Sequence, residues 1–237
     1  MRAAALIVAA GAGVRMGQSG PKAFLMLEGV SLLERCVRTF DAHPGVDRIV
    51  LMVPSGLEPK AREVVSAYRK LRSVAAGGDR RQDTVQLGLD RLAGHSPSAP
   101  GLDTLVLIHD AARPLVEPGL ITAVIEAAAR SGAAVPGIPA SDTVKQVGSG
   151  AETSPRFLAG TLDRKELVLA QTPQGFRLSL LREAYARADA DRLEATDDAR
   201  LVELMGHRVE LVPGSKFNIK VTEPEDLLIA AALLKGR

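Results

Sequence analysis

The stretch that decides the fold is the apolar run AAALIV at positions 3–8, together with the loop AAGAGVRMGQSGPK at 9–22. Six consecutive apolar residues predict a strand that is covered on both faces, as in a parallel sheet with helices on each side. The glycines that follow allow the backbone to come close to a phosphate chain, and Arg15 and Lys22 add positive charge. The stretch therefore predicts an α/β fold with an anion-binding loop after its first strand.

Spacing separates this loop from two common nucleotide-binding motifs. A dinucleotide-binding fold has the pattern G-x-G-x-x-G, whereas the third glycine here, Gly17, comes one residue late. That fold also has an acidic residue at the end of its second strand, where this chain has VPSG at 53–56. A P-loop has Gly-Lys-Ser/Thr, whereas Lys22 stands between Pro21 and Ala23. Hydride transfer and P-loop phosphoryl transfer are therefore disfavoured. A glycine-rich turn with surface cations, and without a ligand, remains the alternative to an anion-binding loop.

Apolar runs and helical patterns alternate through the first half of the chain. Further strands are predicted at 48–53, 72–76, 104–108 and 133–138. Helices are predicted at 31–40, 58–70, 80–93 and 120–130. This order predicts a mostly parallel, twisted sheet with helices on both faces, whose ligands bind beyond the carboxyl ends of the strands. Those ends fall near 9–22, 54–57, 77–84 and 109–114.

The pattern changes between about 139 and 170. The segments 143–147 and 156–162, with a Gly-Ser-Gly turn between them, predict a β-hairpin arm. Because an isolated hairpin is marginally stable in water, we expect the arm to pack on another surface, for which a second subunit is one candidate. The chain then returns to helices near 177–190 and 196–205 and a strand at 208–212. The last helix is expected to begin with the capping box Thr222-Glu223-Pro224-Glu225.

Composition narrows the class of protein. The 237 residues fit one domain, and 46% hydrophobic and 24% charged residues are typical of a globular chain. Thirty basic and 28 acidic residues give a formal net charge of +2, which is too balanced for nucleic-acid binding by bulk attraction. A single cysteine excludes an internal disulfide and a cysteine-rich zinc site. No stretch has the pattern of a signal peptide or approaches the ~20 apolar residues of a membrane span, so we expect a cytoplasmic protein.

Several motifs beyond the first loop make the chain similar to a known family. They are GGDRRQDTV at 77–85, HDAARP at 109–114, DTVK at 142–145, LDR at 162–164, QTPQ at 171–174, TDD at 196–198 and NIKVT at 218–222. Together with the loop at 9–22, they resemble the 2-C-methyl-D-erythritol 4-phosphate cytidylyltransferase family of the non-mevalonate isoprenoid pathway. The resemblance implies a Rossmann-like nucleotidyltransferase fold, with a single domain at 1–237 and a protruding arm at about 139–170 used for dimerisation.

The resemblance also implies a reaction, the transfer of CMP from CTP to methylerythritol phosphate with release of pyrophosphate. A phosphate oxygen of the acceptor attacks the α-phosphorus in line, and positioning and charge stabilisation do most of the catalysis. By the resemblance, Arg15 and Lys22 stabilise the charge of the transition state, and Lys220 and Arg164 hold the attacking phosphate. Mg²⁺ is the implied cofactor; the phosphates of CTP hold it without a dedicated protein site, and Asp110 is a candidate neighbour.

The remaining site residues are implied in the same way. Those that bind CTP are Ala9, Ala10, Gly11, Ala12, Gly13, Gly78, Asp79, Arg81, Thr84 and Asp110. Those that bind the acceptor are Arg113, Thr143, Arg164, Thr172, Thr196 and Lys220. In the family the arm carries a threonine and an arginine into the partner's active site, so the resemblance implies a homodimer with exchanged arms. Neither a nucleic acid nor a membrane is an expected partner.

Two other functions stay open on the sequence alone. A cytidylyltransferase for another polyol phosphate, such as D-ribitol 5-phosphate, would share the nucleotide half of the site. It would differ at the acceptor half, through Arg113, Thr143, Arg164 and Lys220. A non-catalytic sensor of nucleotides or sugar phosphates is the second alternative. Four cations that the resemblance assigns to catalysis argue against a sensor, because a binding protein has little need of charge aimed at the α-phosphate. They are Arg15, Lys22, Arg164 and Lys220.

Overall fold

The computed structural model describes residues 2–11, 21–94, 104–148 and 157–236. Its strands are β1 (Ala3–Val8), β2 (Met26–Leu27), β3 (Val30–Ser31), β4 (Val46–Val53), β5 (Leu71–Ala76), β6 (Leu105–Asp110), β7 (Ala133–Pro139), β8 (Lys145–Val147), β9 (Leu158–Thr161), β10 (Val168–Ala170), β11 (Gln174–Arg177) and β12 (Glu210–Pro213). Its α-helices are α1 (Leu32–Ala42), α2 (Glu58–Val64), α3 (Arg81–Gly94), α4 (Pro118–Ser131), α5 (Leu178–Asp191), α6 (Asp198–Leu204) and α7 (Pro224–Lys235).

The central sheet contains eight of these strands. Their order is β10-β7-β11-β6-β1-β4-β5, and β12 also pairs with β7. Four pairings are parallel: β1 with β4 and β6, β4 with β5, and β7 with β12. The short strands β10 and β11 are antiparallel to their neighbours. The mostly parallel α/β sheet predicted from the apolar runs is confirmed.

Helices cover both faces of the sheet because alternate side chains of each strand point to opposite sides. On one face, Ile7 of β1 belongs to a buried cluster that includes Phe40 of α1 and Ile121 of α4. On the other face, Leu6 belongs to a cluster with Leu89 of α3 and Leu181 of α5. Strand β1 is therefore the middle of the core, and its carboxyl end lies between the loops that follow its neighbours.

Most predicted elements agree with the structure to within two residues at each end, and two differences concern the helices α2 and α7. Helix α2 ends at Val64 and not near residue 70, because the next segment is held against α1: Tyr68 donates a hydrogen bond to Glu34, and Asp41 accepts one from the Lys70 amide. The capping box of α7 lies one residue further on than predicted, between Glu223 and Asp226.

The predicted hairpin arm is present as a separate two-stranded sheet. Strands β8 and β9 pair antiparallel, with Lys145 opposite Thr161, while the turn between them lies outside the described residues. Strand β10, within the segment predicted as arm, instead joins the central sheet beside β7. The described residues include no helix that combines the length and the apolar character of a membrane span.

Candidate active site

A cavity of about 390 Å³ opens beyond the carboxyl ends of β1, β4, β5 and β6. This is the edge of a parallel sheet at which ligands bind. Ten of the predicted site residues line it: Ala9, Ala10, Gly11, Lys22, Gly78, Asp79, Arg81, Thr84, Asp110 and Lys220. The lining carries the four cations Lys22, Arg80, Arg81 and Lys220 against the two carboxylates Asp79 and Asp110, an excess of positive charge that suits a polyphosphate.

Backbone hydrogen bonds extend the sheet into the cavity wall. The amide of Ala9 donates to the Met52 carbonyl over 2.7 Å, and the amide of Gly77 donates to the Val53 carbonyl over 2.8 Å. Position 77 requires glycine because a Cβ atom there would overlap the side chains of Ala10 and Thr84. The loops after β1 and β5 are therefore packed directly against each other and form one wall.

Thr84 shapes the loop that precedes α3. Its hydroxyl accepts a hydrogen bond from the Gly78 amide over 3.1 Å and lies 3.1 Å from the Arg80 carbonyl, to which it donates. Its side chain is buried at 1% exposure. Thr84 therefore fixes the backbone of residues 78–80, and the polar groups of that loop, with the exposed Asp79, are left to face the cavity.

Asp110 is the charged centre of the cavity wall. Its Oδ1 accepts from Arg81 Nε over 3.2 Å, and its Oδ2 accepts from Lys220 Nζ over 2.7 Å. Burial alone would raise the pKa of Asp110, but the two neighbouring cations outweigh burial and hold that pKa well below its ordinary value. Asp110 is therefore ionised at neutral pH and fixes the Lys220 ammonium at the cavity.

A second buried carboxylate holds the other side of Arg81. Its Nη2 donates to Asp198 Oδ2 over 2.7 Å, and Asp198 Oδ1 accepts from the hydroxyl of Tyr185 over 2.6 Å. Burial, and then the negative charge of Asp198, raise the pKa of Tyr185 far above its ordinary value, so its hydroxyl remains a donor. Burial lowers the pKa of Arg81, but Asp198 and Asp110 outweigh it and raise that pKa.

Behind Asp110, His109 and Thr172 form a buried polar pair. The Thr172 hydroxyl accepts from the Asp110 amide over 3.1 Å and lies 3.1 Å from His109 Nδ1. His109 Nε2 lies 3.2 Å from the Arg113 carbonyl, to which it can only donate. Burial lowers the pKa of His109 to about 4, so the ring is neutral and Nδ1 accepts the hydroxyl hydrogen. The polar hydrogen of Thr172 is thus directed into the protein.

Lys220 reaches the cavity from a loop tied down by buried amides. Asn218 donates through Nδ2 to the Thr172 carbonyl over 2.8 Å, and Gln171 donates to the Ser215 carbonyl over 2.9 Å. Arg113 donates through Nη1 to the Asn218 carbonyl over 2.7 Å and through Nη2 to the Ala170 carbonyl over 3.2 Å. These contacts explain the position of Lys220, which leaves 42% of its side chain exposed.

Several predicted site residues lie away from the cavity lining. Arg113 and Thr172 stand behind it in the contacts given above. Arg164 and Thr143 are exposed residues of the arm segment, where Arg164 donates to the Ser141 carbonyl over 2.8 Å, and Thr196 is exposed before α6. The predictions for Ala12, Gly13 and Arg15 lie outside the described residues.

Sequence reasoning assigned no role to the buried polar residues that support the cavity. They are Gln171, Tyr185, Asp198 and Asn218. Three of them stand in the motifs QTPQ, TDD and NIKVT, so the sequence carried a signal without revealing the contacts. Asp198 and Asn218 are fully buried, and a polar side chain in that environment needs a partner.

Comparisons with known proteins show which family the chain resembles over its length. Residues 3–236 match the family model described as 2-C-methyl-D-erythritol 4-phosphate cytidylyltransferase. A protein of that name from Syntrophotalea carbinolica is 44% identical, over 97% of this chain and 94% of the relative, and one from Acidobacterium capsulatum is 42% identical, over 100% and 99%. The crystal structure of such a protein from Thermus thermophilus is similar, with a TM-score of 0.76, 39% identity, and coverage of 99% of this chain and 100% of that one.

Proposed function

The chain belongs to the 2-C-methyl-D-erythritol 4-phosphate cytidylyltransferase family. We propose that its cavity binds CTP and that different residues of the site bind the nucleotide and the acceptor. The enzyme transfers CMP from CTP to 2-C-methyl-D-erythritol 4-phosphate in isoprenoid biosynthesis and releases pyrophosphate. The observation that carries the assignment is the cavity with its excess of cations at the carboxyl edge of the sheet. We place the reaction in the cytoplasm, where CTP is available.

The nucleotide half of the site is the wall made by the loops after β1 and β5. We assign the triphosphate to the backbone of Ala9, Ala10 and Gly11, since small residues let the backbone approach phosphates. Lys22 and Arg15 then stabilise the negative charge that develops around the α-phosphorus. We assign the cytosine and ribose to the loop at 78–80, in which Thr84 acts by fixing the backbone that reads the base.

The acceptor half is built around Lys220. Its ammonium is held by Asp110 at the cavity, from where it can pair with the phosphate of the acceptor. A cation beside that phosphate offsets its repulsion from the triphosphate and keeps the attacking oxygen in line with the α-phosphorus. The new bond forms between the acceptor oxygen and the α-phosphorus, while the bond to the pyrophosphate oxygen breaks and its electron pair leaves with pyrophosphate.

We propose Mg²⁺ as the cofactor, carried on the triphosphate. Both oxygens of Asp110 already accept from Arg81 and Lys220, so this ionised carboxylate fits a neighbour of the metal ion better than a dedicated cage. The described residues contain no group of three or more histidine, cysteine, aspartate or glutamate side chains that could hold a metal. When bound, the ion would neutralise phosphate charge, while Asp110 keeps Lys220 in place at the cavity.

We propose a homodimer in which each arm completes the partner's acceptor half. The arm exposes large apolar side chains, with Phe157 at 74% and Leu158 at 65% exposure, and its strands have little core of their own. Burying such side chains against a second copy would be favourable. Arg164 and Thr143 belong to the arm segment and lie outside the cavity lining of their own chain, so the partner's cavity is the site that they are proposed to serve.

The test is pyrophosphate release by the purified protein with CTP and Mg²⁺. Three reactions are compared: 2-C-methyl-D-erythritol 4-phosphate, D-ribitol 5-phosphate and no acceptor. Release that requires 2-C-methyl-D-erythritol 4-phosphate is the expected result. A preference for D-ribitol 5-phosphate would keep the mechanism and change the acceptor, and CTP binding without release from either acceptor would contradict catalysis.

A further inference from the structure

We infer that Asp198 is a positioning residue, which acts through Arg81 and Asp110 to hold Lys220 at the acceptor phosphate; this rests on the proposed function. Asp198 is fully buried and does not line the cavity. Within the described part of the chain, its side chain is connected to the cavity through Arg81, which donates to Asp198 with Nη2 and to Asp110 with Nε. Four side chains thus alternate in charge from α6 to the cavity: Asp198, Arg81, Asp110 and Lys220.

The geometry gives Asp198 a specific task. Arg81 is shared between two carboxylates, so it engages Asp110 through Oδ1 and leaves Oδ2 to Lys220. Without the charge of Asp198, the guanidinium would be free to take both oxygens of Asp110, since a bidentate pair is the preferred geometry of arginine with a carboxylate. Lys220 would then lose the partner that places it.

Tyr185 supports the same arrangement from α5. Its hydroxyl donates to Asp198 Oδ1 over 2.6 Å, so the second oxygen of Asp198 remains directed at Arg81. The tyrosine side chain is itself buried, at 3% exposure, in the cluster that contains Leu6 on one face of the sheet. The orientation of Asp198 is therefore set by a buried neighbour and not by solvent.

The main test is Asp198→Asn, which keeps the shape of the side chain and removes its charge. The kcat for CMP transfer is expected to fall by about tenfold or more, because a charge-assisted hydrogen bond in the network is lost. The dissociation constant of CTP, measured by calorimetry without acceptor, is expected to stay within about threefold of the wild-type value, since the loops assigned to the nucleotide do not contact Asp198 and Arg81 remains paired with Asp110. The matched control is Asp191→Asn, the same charge change at an exposed residue of α5.

A milder variant covers the case in which Asp198→Asn does not fold. Tyr185→Phe leaves the charge of Asp198 and removes one hydrogen bond, so kcat is expected to fall by about threefold with CTP affinity retained. Added to Asp198→Asn, it should change kcat by less than about twofold, because both act through one path.

Three results would overturn the inference: an equal loss in Asp198→Asn and Asp191→Asn, a fall in CTP affinity that parallels kcat, or an unchanged kcat in Tyr185→Phe. Absence of turnover in the wild-type protein would instead contradict the proposed function.

Discussion

The cavity wall and the arm differ in where their side chains find partners. In the wall, Asp110 is paired with Arg81 and Lys220, and every one of these groups belongs to the same chain. On the arm, Phe157 and Leu158 are largely exposed, and among the described residues the Arg164 side chain donates to the nearby Ser141 carbonyl. The difference is what the proposed division requires, in which one chain supplies the nucleotide half and Lys220, while the arm residues of the acceptor half come from a second chain.

The largest expected effect is on the wall, through Lys22→Ala. The kcat should fall by about 10³-fold, because one preorganised charge at the transition state is lost. CTP should still bind, since the backbone loops that hold it remain. Single-turnover kinetics and calorimetry measure the two quantities, and Lys235→Ala, at an exposed lysine, is the control. Equal losses of kcat and CTP affinity would assign Lys22 to ground-state binding.

Disrupting the arm should impair the acceptor half of the site and leave the nucleotide half intact. The double change Phe157→Glu and Leu158→Glu introduces charge into the proposed interface, so the protein should become monomeric. Turnover should fall by roughly 100-fold because the acceptor is no longer positioned, while CTP affinity stays unchanged. Light scattering and calorimetry test this, with Leu228→Glu and Ile229→Glu as a control at equally exposed apolar residues of α7. A fully active monomer would contradict the division.

Substitutions at Thr172 distinguish two roles of this residue, which are support of the cavity wall and direct contact with the acceptor. Thr172→Val leaves the buried amide of Asp110 without its acceptor, so kcat should fall by about tenfold, and Thr172→Ser should restore it. Steady-state kinetics with varied acceptor make the distinction. A rise in the acceptor KM alone, with kcat unchanged, would show that the threonine binds the acceptor directly.

The smallest expected effect on turnover comes from the protonation of His109, which changes the free energy of unfolding below neutral pH. The pKa of His109 is about 4 in the folded protein and ~6.5 in the unfolded chain, so the unfolded state binds more protons between these values. The free energy of unfolding should therefore fall as the pH drops from about 6.5 to 4, by about 3 kcal/mol in all. Urea titrations at several pH values should show that the free energy of unfolding depends less steeply on pH in His109→Gln than in the wild-type protein, and equal slopes would contradict the lowered pKa of His109.

Much of the fold could be predicted because it depends on local pattern. Continuous apolar runs mark β1 and β6, which are buried on both faces, and the glycine-rich loop after β1 marks the binding edge. The early end of α2 could not be predicted, because it results from contacts of Tyr68 and Lys70 with α1. The short strands β10 and β11 carry no periodic signal of their own and depend on their neighbours in the sheet.

The candidate site also has residues that could be predicted from the sequence and contacts that could not. Residues in loops at strand ends, such as Gly78, Asp110 and Lys22, were predicted from motifs, and the structure brings them together. The link between Arg81 and Asp198 could not be predicted, since the two residues are 117 positions apart and only the fold joins them. For Thr172, a motif suggested the position but not the direction of its hydroxyl hydrogen.

The most direct test of the split site is complementation between two inactive variants. Lys22→Ala disables the nucleotide half of its own chain, and Arg164→Ala disables the contribution of its arm to the partner. A heterodimer of the two, isolated by coexpression with different affinity tags, should regain about half of the wild-type turnover, because one of its two sites combines an intact Lys22 with an intact Arg164. Turnover no higher than that of the two parent homodimers would contradict the exchange of arms between subunits.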